Sequence, residues 1–188
     1  MSDATDCYVT PLWLSERLGR FITDPCSNPR AHIQAVFRYM LETGHNGLKL
    51  PWFGRTWLNH PYSDPMPWML KLHAELGAAC TEAVVLPKHD HSTEWWQALV
   101  QPHEGFVCDE WKLNKRIQFD VPPEELERLM AEHIAKWTAK HPARAAAGKK
   151  PPKLNTANNF CSSLYHWRRP DAAVLQLDDI ATRWVRAC

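Results

Sequence analysis

The chain has 188 residues, of which 45% are hydrophobic and 23% are charged. This balance is typical of one globular domain with a buried core and excludes wholesale disorder. Its 22 basic and 21 acidic side chains leave a net charge of +1, which excludes a strongly acidic or strongly basic body.

Hydrophobic spacing predicts helices that alternate with short strands. A helix is predicted just after Pro11, and apolar residues recur at helical spacing in residues 32–41, 67–76, 93–100 and 124–139. Short apolar runs between turn signals predict strands at residues 21–26, 83–87, 105–108, 116–119, 160–167 and 174–177. A last helix is predicted after residue 177. Residues 141–154, rich in Pro, Lys, Ala and Gly, are predicted to form a flexible linker or flap.

Strands that alternate with helices predict an α/β sheet with helices on its faces. In such sheets ligands bind at the carboxyl ends of the strands. Two loops of unusual composition, Asp24-Pro25-Cys26 and Asn59-His60-Pro61-Tyr62, are predicted to lie where strands end. This placement indicates a functional role for both loops.

The cysteines and the amino-terminal segment indicate a cytoplasmic protein. The six cysteines include no Cys-x-x-Cys pair, so a reduced protein is a better interpretation than a disulfide framework. The segment MSDATDCYVT lacks the basic and apolar regions of a signal peptide. No apolar run approaches the roughly twenty residues of a membrane helix, so we expect no membrane partner.

The four residues Asn59 to Tyr62, called the tetrad below, suit the binding of an exocyclic amine. The Asn59 amide offers a donor and an acceptor, and His60 and Pro61 present backbone carbonyls. The Tyr62 ring offers a face on which a planar base can stack. A proline-rich turn whose rings cover the core is the alternative that the tetrad alone leaves open.

The chain resembles the phage-type, Dam-like DNA N6-adenine methyltransferases, which use S-adenosyl-L-methionine (SAM). The resemblance runs from Tyr8 to about Phe119 and resumes near residues 158–167. The ordered segments that carry it are Tyr8-Val9-Thr10-Pro11, Phe21-Ile22-Thr23-Asp24-Pro25-Cys26-Ser27, Asn46-Gly47-Leu48 with Trp52, Trp57-Leu58-Asn59-His60-Pro61-Tyr62-Ser63, Trp68 with Lys71, Val84-Val85-Leu86-Pro87 and Arg116-Ile117-Gln118-Phe119.

The resemblance implies a single domain over residues 1–188 with a Rossmann-like SAM-dependent methyltransferase fold. That fold has a mostly parallel central sheet and helices on both faces. Relative to short family members, residues at about 123–155 are predicted to be a helical and basic insertion. The residues implied to line the SAM pocket are Thr10, Pro11, Asp24, Pro25 and Asn46.

The resemblance also implies catalytic roles for the tetrad. Asn59 is expected to contact the N6 amine of adenine in DNA, the His60 carbonyl to accept its second hydrogen, and Tyr62 to stack on the extruded base. Pro61 keeps the loop stiff. The methyl group would pass directly from the sulfonium to N6, and catalysis would come from positioning and desolvation.

Two departures from the family pattern keep another class of protein in view. His60 stands where the family tetrad usually has Pro, and Asn46 stands where an Asp is common. A catalytically degraded relative that binds DNA or a host protein is therefore the main alternative. Methyl transfer to RNA or to a glutamine side chain is a further one.

A local basic tract indicates where DNA would bind. Residues 133–169 contain eight Lys or Arg and no Asp or Glu, and such cations neutralise phosphates. The residues predicted to bind DNA are Lys149, Lys150, Lys153, Arg168 and Arg169. A solvated, mobile face is the alternative.

The segment Lys88-His89-Asp90-His91 places two imidazoles two residues apart. The sequence contains no second ligand pair with zinc spacing, so it predicts no metal site. Trp95 and Trp96 are interpreted as core residues, with a base-stacking or partner-binding element as the alternative.

Overall fold

Seven strands form one sheet in the computed structural model, which describes residues 9–121, 123–152 and 162–186. The strands are β1 Phe21–Asp24, β2 Ala35–Arg38, β3 Gly54–Leu58, β4 Cys80–Val85, β5 Val107–Leu113, β6 Ser163–Arg168 and β7 Ala181–Arg186. Their order across the sheet is β2-β1-β3-β4-β6-β5-β7. The protein is therefore of the mixed α/β class.

The helices of the described part are α1 Leu12–Leu18, α2 Met66–Glu75, α3 Glu94–Leu99, α4 Pro123–Lys140 and α5 Pro142–Ala146. Proline marks several of their starts: Pro11 caps α1, and Pro142 begins α5. Proline suits these positions because the first turn of a helix needs no backbone N–H donor. Over the described residues, no helix has the length and apolar character to span a membrane.

The expectation of a mostly parallel sheet is correct for one half of the sheet only. β2, β1, β3 and β4 pair in parallel. β6 inserts between β4 and β5 and is antiparallel to both, and β7 pairs antiparallel with the far side of β5. Three of the six pairings are therefore antiparallel.

Helices pack on both faces of the sheet. Side chains of neighbouring strand residues point to opposite faces, so each face carries its own core. On β3, Trp57 belongs to the core on the side of α1, where it lies with Leu14. The next residue, Leu58, belongs to the core on the side of α2, where it lies with Leu72. Both tryptophans at the start of α3 lie on this second side, Trp96 being buried and Trp95 partly buried.

Two predicted helices are strands in the structure. Residues 32–41 contain β2, whose Val36 and Phe37 are 70% and 44% exposed at the edge of the sheet. Residues after 177 contain β7, which forms the opposite edge. Apolar spacing in so short a run fits either element, and pairing with β1 or β5 decides between them.

Two predicted strands are irregular in the described structure. Residues 116–119 and 174–177 form no strand, although Gln118 makes a single β-bridge and Ile117, Phe119, Leu175 and Leu177 are buried. Their apolar side chains fill the core on the side of α1. Burial alone therefore produced the apolar runs that resemble strands.

The predicted helical insertion contains α4 and α5. Against the described part of the chain, α4 buries none of its side chains, and Met130 and Ile134 are each 47% exposed. The predicted flap at residues 141–154 contains the short helix α5, and its last two residues lie outside the described ranges.

Candidate active site

A cavity of about 300 Å³ opens where the order of the strands reverses direction. After β1 the chain crosses to β2 on one side, and it then returns to β3 on the other side of β1. The carboxyl ends of β1 and β3 thus lie side by side, at the position where open α/β sheets bind ligands. Residues on both walls include Thr10, Asp24, Pro25, Asn59, His60 and Tyr62.

The loop after β1 brings a buried carboxyl group to the cavity. Asp24 is 2% exposed, and its Oδ1 accepts a hydrogen bond of 3.2 Å from the Cys26 N–H. Burial raises the pKa of Asp24 to about 6, although hydrogen bonds from Ser27 and Cys26 and the charge of Arg38 act in the opposite direction. A cation bound nearby would favour the ionised form of this group.

The same loop is fixed to the end of β2. The Tyr39 N–H donates to the Asp24 carbonyl at 2.9 Å, and the Ser27 N–H donates to the Tyr39 carbonyl at 3.0 Å. Arg38 donates from Nε to the Ser27 hydroxyl at 3.0 Å. These contacts hold the wall rigid before any ligand binds.

The segment that contains Asn46 supports this wall from behind. A Cβ at Gly47 would lie 2.0 Å from the Pro25 carbonyl oxygen, so only glycine fits the close approach of the two backbones. Trp52 donates from Nε1 to the Gly47 carbonyl at 2.8 Å. Asn46 itself accepts a hydrogen bond from the Leu48 N–H at 2.9 Å, so its side chain closes a turn.

On the opposite wall, Asn59 is oriented by two neighbours. Its Nδ2 donates to the Thr10 hydroxyl at 3.3 Å, and its Oδ1 accepts from the Tyr62 hydroxyl at 3.3 Å. The Tyr62 hydroxyl also lies 3.2 Å from the Leu86 carbonyl oxygen, so its single hydrogen is shared between these two acceptors. The amide thus faces the cavity in a defined orientation.

The Tyr62 ring is half-buried and lies at the cavity wall. It meets Phe119 edge-to-face at a centroid distance of 6.4 Å. The Lys88 ammonium lies 5.5 Å from the Tyr62 centroid. Burial raises the pKa of the Tyr62 hydroxyl well above its ordinary value, so the hydroxyl remains a donor at neutral pH.

His60 is 3% exposed, and its imidazole stabilises the turn from within. Its Nδ1 lies 2.9 Å from the Pro61 carbonyl oxygen, which accepts hydrogen bonds only, so Nδ1 carries the hydrogen and donates. The ring packs at its edge against Tyr62, 5.7 Å between centroids. The imidazole therefore supplies a constraint at the position where the family pattern has a proline ring.

The family of DNA N-6-adenine-methyltransferases (Dam) matches residues 2–138 of the chain. This range includes both loops of the cavity and most of α4. The chain belongs to the Dam family. The matched range ends inside α4, so α5 and strands β6 and β7 lie beyond it.

A curated relative of this Dam-family protein is the DNA N-6-adenine-methyltransferase of Haemophilus phage HP1 (strain HP1c1). The two sequences are 28% identical over 120 residues, which cover 61% of this chain and 66% of the relative. The match thus spans just under two thirds of the relative's length. No solved structure matches the chain at a significant level.

The structure brings most of the predicted pocket residues of the Dam-family protein together. All four tetrad residues line the cavity, as do Thr10, Asp24 and Pro25. Pro11 lies at the start of α1, and Asn46 lies behind Gly47, so neither side chain reaches the cavity wall. Their neighbours Thr10 and Gly47 line the cavity instead.

The residues predicted to bind DNA separate into different groups. Lys149 and Lys150 are exposed after α5, and Lys153 lies outside the described residues. Arg168 is 6% exposed, and its Nε donates to Asp109 at 2.8 Å, so the prediction that it contacts DNA is corrected to a structural role.

Arg169 is exposed but lies at the end of the sheet opposite the cavity. β6 runs antiparallel to β4, and the register places Trp167 beside Ala83, near the amino end of β4. The Arg169 guanidinium lies 4.5 Å from the Phe106 ring centroid. Arg169 therefore points away from the carboxyl ends of the strands, where the cavity lies.

Sequence reasoning gave no site role to several residues that line the cavity: Ser27, Tyr39, Trp57, Trp68 and Phe119. Most are apolar core residues whose sequence pattern indicates packing only. The segments that carry the resemblance include four of them, Ser27, Trp57, Trp68 and Phe119, and Tyr39 is the one that had no such sequence signal.

Proposed function

We propose that this Dam-family protein transfers a methyl group from SAM to N6 of adenine in DNA. The observation that supports the proposal most strongly is the cavity that joins the Asp24 loop to the tetrad across the β1–β3 junction. We further propose that the sheet is a Rossmann-like methyltransferase sheet with an antiparallel extension. The phage relative suggests a phage or prophage origin, with action in the cytoplasm of the host.

The residues on the β1 side fit the cofactor. SAM, when bound, supplies a methyl group on a positively charged sulfonium. The buried Asp24 carboxyl group, whose pKa burial raises to about 6, becomes a counter-charge for the cationic groups of SAM at neutral pH. Thr10 and Pro25 complete this side of the pocket, and Asn46 with Pro11 holds them in place.

The residues on the β3 side fit an adenine amine. The Asn59 Oδ1 would accept one N6 hydrogen and the His60 carbonyl the other. This leaves the nitrogen lone pair to face the methyl donor. The Tyr62 ring would hold the face of the extruded base. Rate enhancement would come from orientation in a site that excludes water, without a covalent intermediate on the protein.

DNA would be held mainly through its phosphates. Lys149 and Lys150 are exposed cations on a segment with no acidic residue, and we propose that they, together with Lys153, neutralise the backbone. Arg168 and Arg169 take no part in this surface, because Arg168 is buried and Arg169 lies at the end of the sheet opposite the cavity.

The proposal is tested with the purified protein, methyl-labelled SAM and unmethylated duplex DNA. The DNA is digested to nucleosides after the reaction, and we expect the label in N6-methyladenine. Calorimetry on the same preparation is expected to show one SAM per chain. Stoichiometric SAM binding with label on RNA or protein and not on DNA would contradict the DNA substrate. Absence of both SAM binding and transfer would support the alternative of a degraded DNA-binding relative.

A further inference from the structure

A second cluster of polar side chains lies outside the proposed methyl-transfer cavity, beside the carboxyl end of β4. His89 and His91 come from the loop after β4, and Glu110 comes from β5. The His89 Nδ1 lies 3.3 Å and the His91 Nε2 lies 3.2 Å from the same Glu110 oxygen, Oε1. One ligand atom from each residue lies within 4.8 Å of the others.

The charge of Glu110 makes this cluster unusual. Glu110 is 2% exposed, and a buried carboxylate is costly unless a positive charge accompanies it. The Tyr165 hydroxyl donates to Oε1 at 3.0 Å, and the Ser163 hydroxyl lies 3.4 Å from Oε1 and 2.6 Å from the His89 Nδ1.

The two imidazoles lie close together, with ring centroids 4.2 Å apart, and both approach the same Glu110 oxygen. A divalent cation among the three groups would accept a lone pair from each imidazole and neutralise the carboxylate. The His89 Nδ1 would exchange its contact with the Ser163 hydroxyl for the ion.

The two His–Glu distances agree with a tetrahedral metal ion. Bonds of about 2.0–2.1 Å to Zn²⁺ place neighbouring ligand atoms roughly 3.3–3.4 Å apart. The two His–Glu distances of 3.3 and 3.2 Å match this spacing. Two histidines and one carboxylate also form a donor set that zinc sites use with a fourth position open to water.

We propose that His89, His91 and Glu110 bind Zn²⁺. The ion joins the loop after β4 to the middle of β5. That loop also carries Lys88, and Leu86 at its start contacts the Tyr62 hydroxyl, so the ion steadies one side of the tetrad. The third ligand lies 19 residues beyond His91, which is why spacing within the sequence did not predict the site.

The site is tested by zinc binding, independently of methyl transfer. The full-length protein is stripped with a chelator and titrated with Zn²⁺ against a chromophoric competitor, and metal content is measured by mass spectrometry. The ligand variants are Glu110→Gln and His91→Ala. The controls are Asp90→Asn, an exposed carboxylate between the two histidines, and His45→Ala, an exposed histidine elsewhere.

We expect one Zn²⁺ per chain and a rise in melting temperature with Zn²⁺, because the ion binds the folded state. Each ligand variant should weaken binding by more than about 100-fold, the upper range for loss of an outer hydrogen-bond partner. The controls should stay within about threefold of the wild type. His91→Ala keeps the test valid if Glu110→Gln fails to fold, because the His91 side chain is 39% exposed. Absence of stoichiometric binding, or equal affinity in the ligand variants, would overturn the proposal.

Discussion

Asn59 is held in place before any substrate arrives. Thr10 accepts from its Nδ2 and Tyr62 donates to its Oδ1, so the amide loses little freedom when it binds an amine. Tyr62 in turn is bound to the Leu86 carbonyl at the end of β4. A chain of three side chains thus connects the segment before α1 to β4 through the proposed reaction site, which is the preorganisation that catalysis by positioning needs.

Two variants of His60 test whether its imidazole constrains the loop in the way that a proline ring would. His60→Pro restores a rigid ring and should keep transfer within about threefold of the wild type. His60→Ala removes both the ring and the hydrogen bond to Pro61 and should lower kcat by about tenfold, the effect of roughly one hydrogen bond. Transfer rates at saturating SAM decide this. An equal loss in both variants would show that the imidazole has a role of its own.

The raised pKa of Asp24 leads to a predicted pH dependence of SAM affinity. Its pKa is raised by burial to about 6, and the cationic ligand favours the carboxylate, so the Kd for SAM should fall as pH rises towards about 6 and then level off. The slope below pH 6 should approach tenfold per pH unit. Calorimetry from pH 5 to pH 8 measures it. Asp24→Asn should bind more weakly and show a flat profile, and a sloped profile in this variant would contradict the assignment.

The same pKa has the opposite effect on the folded protein without ligand. Because the pKa of Asp24 is raised from 3.8 to about 6 on folding, its contribution to stability is present below about pH 4 and is lost as pH rises through about 6. At neutral pH the ionised Asp24 carboxylate therefore lowers the stability of the ligand-free protein, and a bound cation would reduce that loss.

At the scale of elements, the segment after β2 supports the Asp24 loop through one glycine. Gly47→Ala would place a methyl group against the Pro25 backbone. We expect a loss of about 1–3 kcal/mol in the free energy of unfolding, as for other overpacked sites, and weaker SAM binding. Urea unfolding measures the first quantity. Lys49→Ala, an exposed change in the same turn, is the control and should leave both unchanged.

The elements predicted best from the sequence are helices that are several turns long or that have a proline at their start. α2 and α4 were predicted to within a residue or two of their observed bounds, because their apolar positions recur over several turns. β2 and β7 were predicted as helices because they are edge strands with apolar residues on exposed faces, such as Phe37 and Trp184. Only the partner strand distinguishes such runs, and for β7 that partner, β5, is distant in sequence.

At the scale of the whole molecule, the sequence predicted the position of the site but not the direction of all strands. Both loops follow apolar runs that end in polar residues, and this pattern is local. The antiparallel half depends on β6, which pairs with β4 and β5 from about 80 and 55 residues away. Buried Asp109 secures this half, because it binds Arg168 of β6 and Arg183 of β7.

The proposed DNA-binding surface is also a property of the whole molecule. Replacing Lys149 and Lys150 with Gln should reduce the slope of log affinity against log salt by up to about 0.9 for each phosphate that is no longer neutralised. Fluorescence anisotropy at several salt concentrations measures this slope. Arg169→Gln is the matched control, since Arg169 lies at the end of the sheet opposite the cavity, and its slope should equal that of the wild type. If Arg169→Gln reduced the slope and the lysine variants did not, the DNA would contact the end of the sheet opposite the cavity, which would contradict the proposal.

The central claim is that Asn59 holds the adenine amine in the cavity between β1 and β3. The most direct test is the single-turnover rate of methyl transfer to N6 by Asn59→Ala, with SAM and DNA both saturating and with the exposed change Asn114→Ala as control. We predict a fall of at least about 100-fold for Asn59→Ala, comparable to the loss of a preorganised group that acts on the transition state, with SAM affinity preserved. A rate within about threefold of the wild type would contradict the claim.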